Sequence, residues 1–190
     1  MLVKANALVV KGKHMNIVSK CVLRVMQREP DEVVGGRENP YLKRWFLIKK
    51  GWINLYLHQF LRSDDDRALH DHPGDNISML LDGQYIEWMP SHPDYGNNAY
   101  TFRIRKTGFP IFRRAEQLHR IELMKKVIRD ESDQPIFEND KAKTVELPVI
   151  SLFWRFKHRR EWGFKSKKGW IPWFEFCAPD GSDVVGRGCD

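Results

Sequence analysis

From Tyr41 onward, short stretches rich in aromatic and β-branched residues are separated by the turn signals "KKGW", "SDDD", "HPGDN", "LDGQ" and "PDYGNN". This all-β rhythm constrains the fold more than any other feature of the chain. It predicts strands at Arg44 to Ile48, Ile53 to Leu61, Ile77 to Leu81, Gln84 to Trp88, Tyr100 to Arg105, Pro110 to Arg113, His119 to Leu123, Val149 to Phe156 and Trp173 to Phe176. Many short strands joined by polar turns imply a sandwich or barrel, which also closes off exposed edges. The length of 190 residues fits one domain, alone or with arms, and is enough to bury a core. Seven Trp and eleven Phe supply that core, so the 30% of charged residues does not mark a disordered chain. There is no repeat, heptad or low-complexity tract.

The flanks read differently. In "REPDEVVGGRENP" a proline and paired glycines break any regular element, so residues 1–40 are expected to form a short helical or irregular arm. Within it, "MNIVSKCVLRVMQ" repeats Ile17, Cys21, Val22 and Val25 near helical spacing, which predicts a short amphipathic helix packed against the body. The β-rich body is assigned to residues 41–177 and a tail to 178–190. Met124 to Glu146 is charged and weakly patterned, a surface excursion with solvated carboxylates.

Lys and Arg outnumber Asp and Glu by 32 to 25, a net charge of +7, and seven basic residues fall in "RFKHRREWGFKSKK" between Arg155 and Lys168. The ordinary meaning of such a run is a solvated rim; the sharper one is a surface that guides an anionic partner. Cys21, Cys177 and Cys189 are odd in number and widely spaced, which suits neither a disulfide framework nor a metal knuckle and predicts a reducing, cytoplasmic setting. No apolar run approaches the roughly 18 residues of a membrane span.

Within "RALHDHPGDN", His70 and His72 stand two apart. On an extended chain such residues share a face, so both imidazoles can aim at one point while Asp71 faces away. That is the geometry of half a coordination shell for zinc, copper, iron or nickel, although the same spacing also occurs in polar turns that bind nothing.

Asn76 and Gly83 follow the pair, and His119 lies in a later strand candidate, "QLHRIEL". This arrangement resembles the cupin superfamily, whose first motif has two histidines two apart, a Glu four residues after the second and a Gly seven beyond that. Here Asn76 stands where the Glu would be, and Asp64 where the motif opens with Gly. Around His119, Arg114, Glu116 and Leu123 stand where the second motif has Pro, Gly and Asn. The stretches "YLHQFLRSDDDRALHDHPGDNISMLLDG" and "REWGFKSKKGWIPWFEF" look like those of small bacterial and phage cupins.

The resemblance implies a double-stranded β-helix, or jelly-roll barrel, with His70, His72 and His119 as metal ligands on its inner face and Asn76 as a loose fourth ligand or water holder. It also implies a dioxygenase-like oxidoreductase that uses Fe(II) on a small-molecule substrate, and it carries a family expectation of a homodimer. Zinc, manganese or nickel stand as alternative ions, and a cupin lyase, isomerase or hydrolase as the alternative reaction. Three neutral ligands leave a divalent ion its full charge, which favours anionic or chelating substrates. The cross-class rival is a basic nucleic-acid or sugar-binding module with a vestigial site, for which Trp154, Trp162, Trp170 and Trp173 would offer stacking surfaces.

Of the other polar residues, Arg67 and Tyr85 are the candidate substrate-side groups, as a carboxylate fork and a hydroxyl donor. Arg113 and Arg114 read as surface or strand-end cations, and Arg120 as pointing opposite His119. His58 shares a strand face with Tyr56 and Phe60 and reads as a satisfied core or ligand-supporting histidine.

Overall fold

The structure, a computed structural model, describes residues 17–36, 38–64, 68–91, 100–166 and 169–177. Its elements in chain order are α1 (Ile17–Met26), β1 (Glu32–Val34), β2 (Leu42–Lys50), β3 (Ile53–Phe60), β4 (Leu69–His70), β5 (Asn76–Asp82), β6 (Tyr85–Pro90), β7 (Tyr100–Arg105) and β8 (Pro110–Arg113). There follow β9 (Arg120–Leu123), β10 (Lys125–Val127), β11 (Phe137–Glu138), β12 (Lys141–Ala142), β13 (Thr144–Glu146), β14 (Val149–Phe156), β15 (Gly163–Ser166), β16 (Gly169–Pro172) and α2 (Trp173–Cys177).

One wall is a six-stranded antiparallel sheet in the order β1-β2-β3-β14-β5-β8. Opposite it lie two three-stranded sheets, β7-β6-β9 and β16-β15-β4, joined by a bridge between His70 and His119. The chain is therefore an all-β double-stranded β-helix, though the ladders do not close into one continuous barrel. Alternation sorts the residues: Phe60 and Val149, directly paired, meet Leu42, Leu80, Tyr85, Ile121 and Leu123 from both walls in an apolar cluster. Removing the apolar surface of that cluster from water, at about 25 cal/mol per Å², helps hold the walls together.

The opposite face of the large sheet presents Trp45, Leu57 and Ile150, on which Val22, Val25 and Met26 of α1 rest. The helix therefore packs against the body as its periodicity predicts. β1 extends the sheet by pairing with β2, so the segment before Tyr41 is tied down at two places.

Gly83 sits between β5 and β6 at φ +80°, and a Cβ there would lie 2.7 Å from Val149 Cγ1. Both its backbone conformation and its neighbour demand glycine. Met124 to Glu146 is an excursion as expected, but it carries two small ladders, β10 with β13 and β11 with β12.

The strand expected over Trp173 to Phe176 is instead the single turn α2. Pro172 ends β16, and the turn swings Phe176 onto Phe164, their rings stacked 4.2 Å apart. Burial of Phe176 beside Ala68 and Phe164 overrides the β preference of an aromatic run.

Candidate metal centre

The two-residue strand β4 pairs with β15 on one side and touches the start of β9 on the other. His70 N–H donates to His119 O (2.8 Å) and His119 N–H to His70 O (2.9 Å), so a closed pair of backbone bonds sets two ligand candidates from distant parts of the chain side by side. His72 is fixed through its own N–H, which donates to Ala115 O (2.9 Å).

Between the two histidines, Asp71 faces away as the alternation requires. Its carboxylate accepts from Gly163 N–H (2.7 Å), Trp170 Nε1–H (2.9 Å) and Arg160. This buried clamp pins the alternation that turns both imidazoles to the other face.

The three rings converge. Ring centres lie 5.4 Å apart for His70 and His72, 4.8 Å for His70 and His119, and 5.0 Å for His72 and His119. One nitrogen from each lies within 4.8 Å of the other two, a grouping that could hold one metal ion after a small inward shift of the rings.

His119 Nδ1 lies 2.9 Å from Glu87 Oε1, a contact not aligned as a hydrogen bond, and the carboxylate beside it favours the ring proton on Nδ1 and a free lone pair on Nε2. That Nε2 is 2.8 Å from His72 Nε2. Without an ion, one of the two must carry a proton between them, and with Nδ1 of His119 already protonated that one is His72. A divalent cation held here would stand in place of that proton, with His72 and His119 as two of its nitrogen ligands. His70 Nδ1 lies 3.7 Å from Asp64 Oδ2; Asp64 is itself held by Tyr41 and by Ile121 N–H (2.6 Å). The residue standing where the motif has Gly thus acquires a supporting role.

Glu87 is the residue that sequence reasoning missed. It is 0% exposed and accepts from Arg113 Nε (2.7 Å) and from Arg105 Nε. Burial alone would raise its pKa, but His119, Arg113 and Arg105 together outweigh burial and hold the carboxyl below its ordinary value. Arg113, read as a surface or strand-end cation, is instead 1% exposed and bridges Glu87 to Ser78 Oγ (2.7 Å). A signal existed: in "QYIEWMP" the alternation that buries Tyr85 also turns Glu87 inward, where a carboxylate requires a cation.

Burial, and the Arg113 charge after it, push His119 down to about 4 against the pull of Glu87. Burial and the neighbouring His119 and His70 put His72 well below the usual imidazole range. Both are therefore neutral at pH 7, the form that binds metal.

Asn76 is 0% exposed on the inner face of β5; its Nδ2 reaches Gly74 O at 3.5 Å, and no described group satisfies its Oδ1. A buried amide oxygen without a donor fits a place beside a cation or a held water. Tyr85 is buried in the apolar cluster, its hydroxyl 3.5 Å from Arg113. Arg67 lies outside the described residues. Arg120 points away from His119, over the Trp88 ring at 5.4 Å.

In the basic run, Arg159 is paired with Glu116 and Asp75, and Arg160 with Asp71. Trp162 stacks on Trp173 with centres 5.8 Å apart. No helix among the described residues is long and apolar enough to cross a membrane.

No known family model matches the chain, and no curated protein does. Solved structures of similar fold include a cupin domain from Bordetella pertussis Tohama I, with 10% identity, 64% of this chain and 99% of that one covered and a TM-score of 0.39. A double-stranded β-helix protein from Klebsiella pneumoniae subsp. pneumoniae MGH 78578 has 12% identity, 82% and 100% coverage and a TM-score of 0.42. The Fe(II) form of HppE in complex with substrate has 11% identity, 68% and 57% coverage and a TM-score of 0.43. The first is described as a cupin domain and the second as having a double-stranded β-helix domain, and at such identities and scores the likeness is at most one of strand architecture.

Proposed function

We propose that this chain binds one divalent metal through His70, His72 and His119 and acts on a small molecule as a dioxygenase-like oxidoreductase. One observation carries the proposal: three imidazoles meet on an inner face, and the buried Glu87, 2.9 Å from His119, orients one of them for metal. Fe(II), when bound, supplies a Lewis-acidic, redox-active centre with positions open to substrate and dioxygen. Asn76 supplies a neutral oxygen toward that centre or holds a water there.

The protein's own contribution is positional. Glu87 keeps the His119 proton on Nδ1, Arg113 and Arg105 hold Glu87 ionised, and Tyr85 supports Arg113 from the apolar side. Phe153, whose ring is 5.8 Å from that of His72, gives this side of the centre an apolar neighbour.

The test begins with metal analysis of protein purified without an affinity tag, beside His72→Ala. One equivalent in the parent and little in the variant is expected; equal metal in both contradicts the proposal. Oxygen uptake by the Fe(II)-loaded protein with a panel of thiols, diketones and hydroxy acids then separates oxidation from redox-neutral chemistry. Turnover without oxygen consumption assigns the site to a lyase, isomerase or hydrolase.

A further inference from the structure

Beyond Phe153, a row of polar residues crosses four strands of the large sheet. The register pairs Asn54 of β3 with Arg155 of β14, Arg155 with Asn76 of β5, and Asn76 with Arg113 of β8. Residues paired in this way share a sheet face and hold their Cβ atoms about 4.5–5.5 Å apart, so each side chain in the row neighbours the next. The face is the inner one: Asn54, Asn76 and Arg113 are 3%, 0% and 1% exposed, and Arg155 is half-buried between the two asparagines. The neighbouring row on the same face carries Phe153, whose ring lies against His72.

Hydrogen bonding along this row is incomplete at one place. Arg113 is committed to Glu87, Ser78 and Tyr85 and offers nothing to Asn76. Asn76 turns its Nδ2–H toward Gly74 O (3.5 Å), and the reversed amide would set two acceptors face to face. The atom left over is therefore Asn76 Oδ1, buried and without a donor among the described residues. Opposite it, Arg155 keeps its Nε–H buried without an acceptor, and no carboxylate among the described residues pairs with its charge.

An acceptor in want of a donor thus stands across one strand pairing from a donor in want of an acceptor. The combination is selective. An oxyanion would suit Arg155 but set its charge against Asn76 Oδ1; an ammonium would suit Asn76 and be repelled by Arg155. A hydroxyl meets both with a single atom, accepting from Nε–H and donating to Oδ1.

We infer that Asn76 and Arg155 together bind a hydroxyl group of the substrate, and that this pair makes the alcohol the feature by which the small molecule is selected. The inference rests on the proposed function in that it places this hydroxyl beside the same centre. It gives that centre its substrate class: hydroxyl-bearing small molecules whose reactive end reaches the histidines.

The test titrates metal-free and Zn(II)-loaded protein with propane-1,2-diol, lactate and malate, each beside the analogue that lacks one hydroxyl: propan-1-ol, propionate and succinate. Nitrogen-15 spectra follow the Arg155 Nε–H and the Asn76 side-chain amide. At least one hydroxyl compound should shift both resonances and bind about tenfold more tightly than its analogue, the ratio expected for one hydrogen-bonded group.

Arg155→Met should bring that ratio near one with metal content unchanged. Arg155→Lys, which keeps the charge but not the Nε–H, should lose about as much of the preference. Asn76→Asp supplies the missing acceptor from within: in metal-free protein it should shift the Arg155 Nε–H with no ligand present and abolish the preference. An unmoved Arg155 resonance in that variant, equal binding within every pair of compounds, or a preference that survives Arg155→Met overturns the inference even where the protein holds its metal. Where Asn76→Asp does not fold, the two Arg155 variants decide. Conversely, a protein that holds no metal but shows the preference in its metal-free form loses the proposed function and keeps this site.

Discussion

A histidine becomes a metal ligand through the atoms behind it as much as through the atoms in front. His119 is bound by its backbone to His70 and by Nδ1 to Glu87, and Glu87 is kept ionised by Arg113 and Arg105. Glu87→Gln keeps the shape and removes the charge. It should lower metal affinity roughly tenfold to a hundredfold, the usual effect of disturbing such support, read by competition with a chelating dye. Unchanged affinity would reduce Glu87 to a partner of the arginines.

Protons give a second prediction at this scale. His58, His72 and His119 all have folded values below the ordinary 6.5, with His119 at about 4. Above pH 6.5 neither folded nor unfolded chain binds these protons, so stability is flat. As pH falls below 6.5 the unfolded chain takes up protons that the fold excludes, and stability drops. The loss continues until each folded pKa is reached, with a slope of at most roughly 4 kcal/mol per pH unit for three protons. Urea unfolding of metal-free protein at pH 7, 6 and 5 measures it, and equal stability at pH 7 and 5 would contradict the neutral burial.

The legibility of the site follows the same division. His70, His72 and outward-facing Asp71 were readable because alternation is local. Glu87 and Arg113 escaped because an inward charge is recognised by its partner, 26 residues away in this case. His58 was placed on the correct face, yet nothing in "NLYLHQF" shows that one ring nitrogen lacks an acceptor.

At the scale of elements, strands with two-residue periodicity and flanking turns were legible; β7, β8 and β14 have the bounds that the pattern gives. Elements defined by their partners were not. β4 is two residues long and exists through its pairing with β15, and α2 forms because Phe176 has a pocket beside Phe164. The turn at Gly83 links the elements that carry Asn76 and Glu87, so its fit matters to the site as well as the fold. Gly83→Ala forces a side chain into left-handed backbone and against Val149, and should cost about 1–3 kcal/mol in denaturant unfolding. A change below a few tenths would show that the turn relaxes freely.

Across the whole molecule, the long-range pairings do the work. β14 inserts between β3 and β5, bringing Ser151, Phe153 and Arg155 against His58, Tyr56 and Asn76 from a hundred-residue-scale separation in sequence. The result is an interior graded from an apolar end around Val149 to a polar one around the three histidines, while α1 covers the outer face of the large sheet. A positive surface accompanies this, though Arg159 and Arg160 are spent on local carboxylates. An ion that binds only the folded chain adds stability by mass action, about 2.7 kcal/mol at a hundredfold excess over its dissociation constant. Chelation should therefore lower the melting temperature of metal-loaded protein, and re-addition of one equivalent should restore it; a melting curve indifferent to chelator would separate the ion from the fold.

X-ray absorption at the metal edge of the loaded protein tests the central claim most directly. Three imidazole nitrogens at about 2.0–2.2 Å are predicted, falling to two in His119→Ala. A shell of oxygens alone, or one that His119→Ala leaves unchanged, would contradict it.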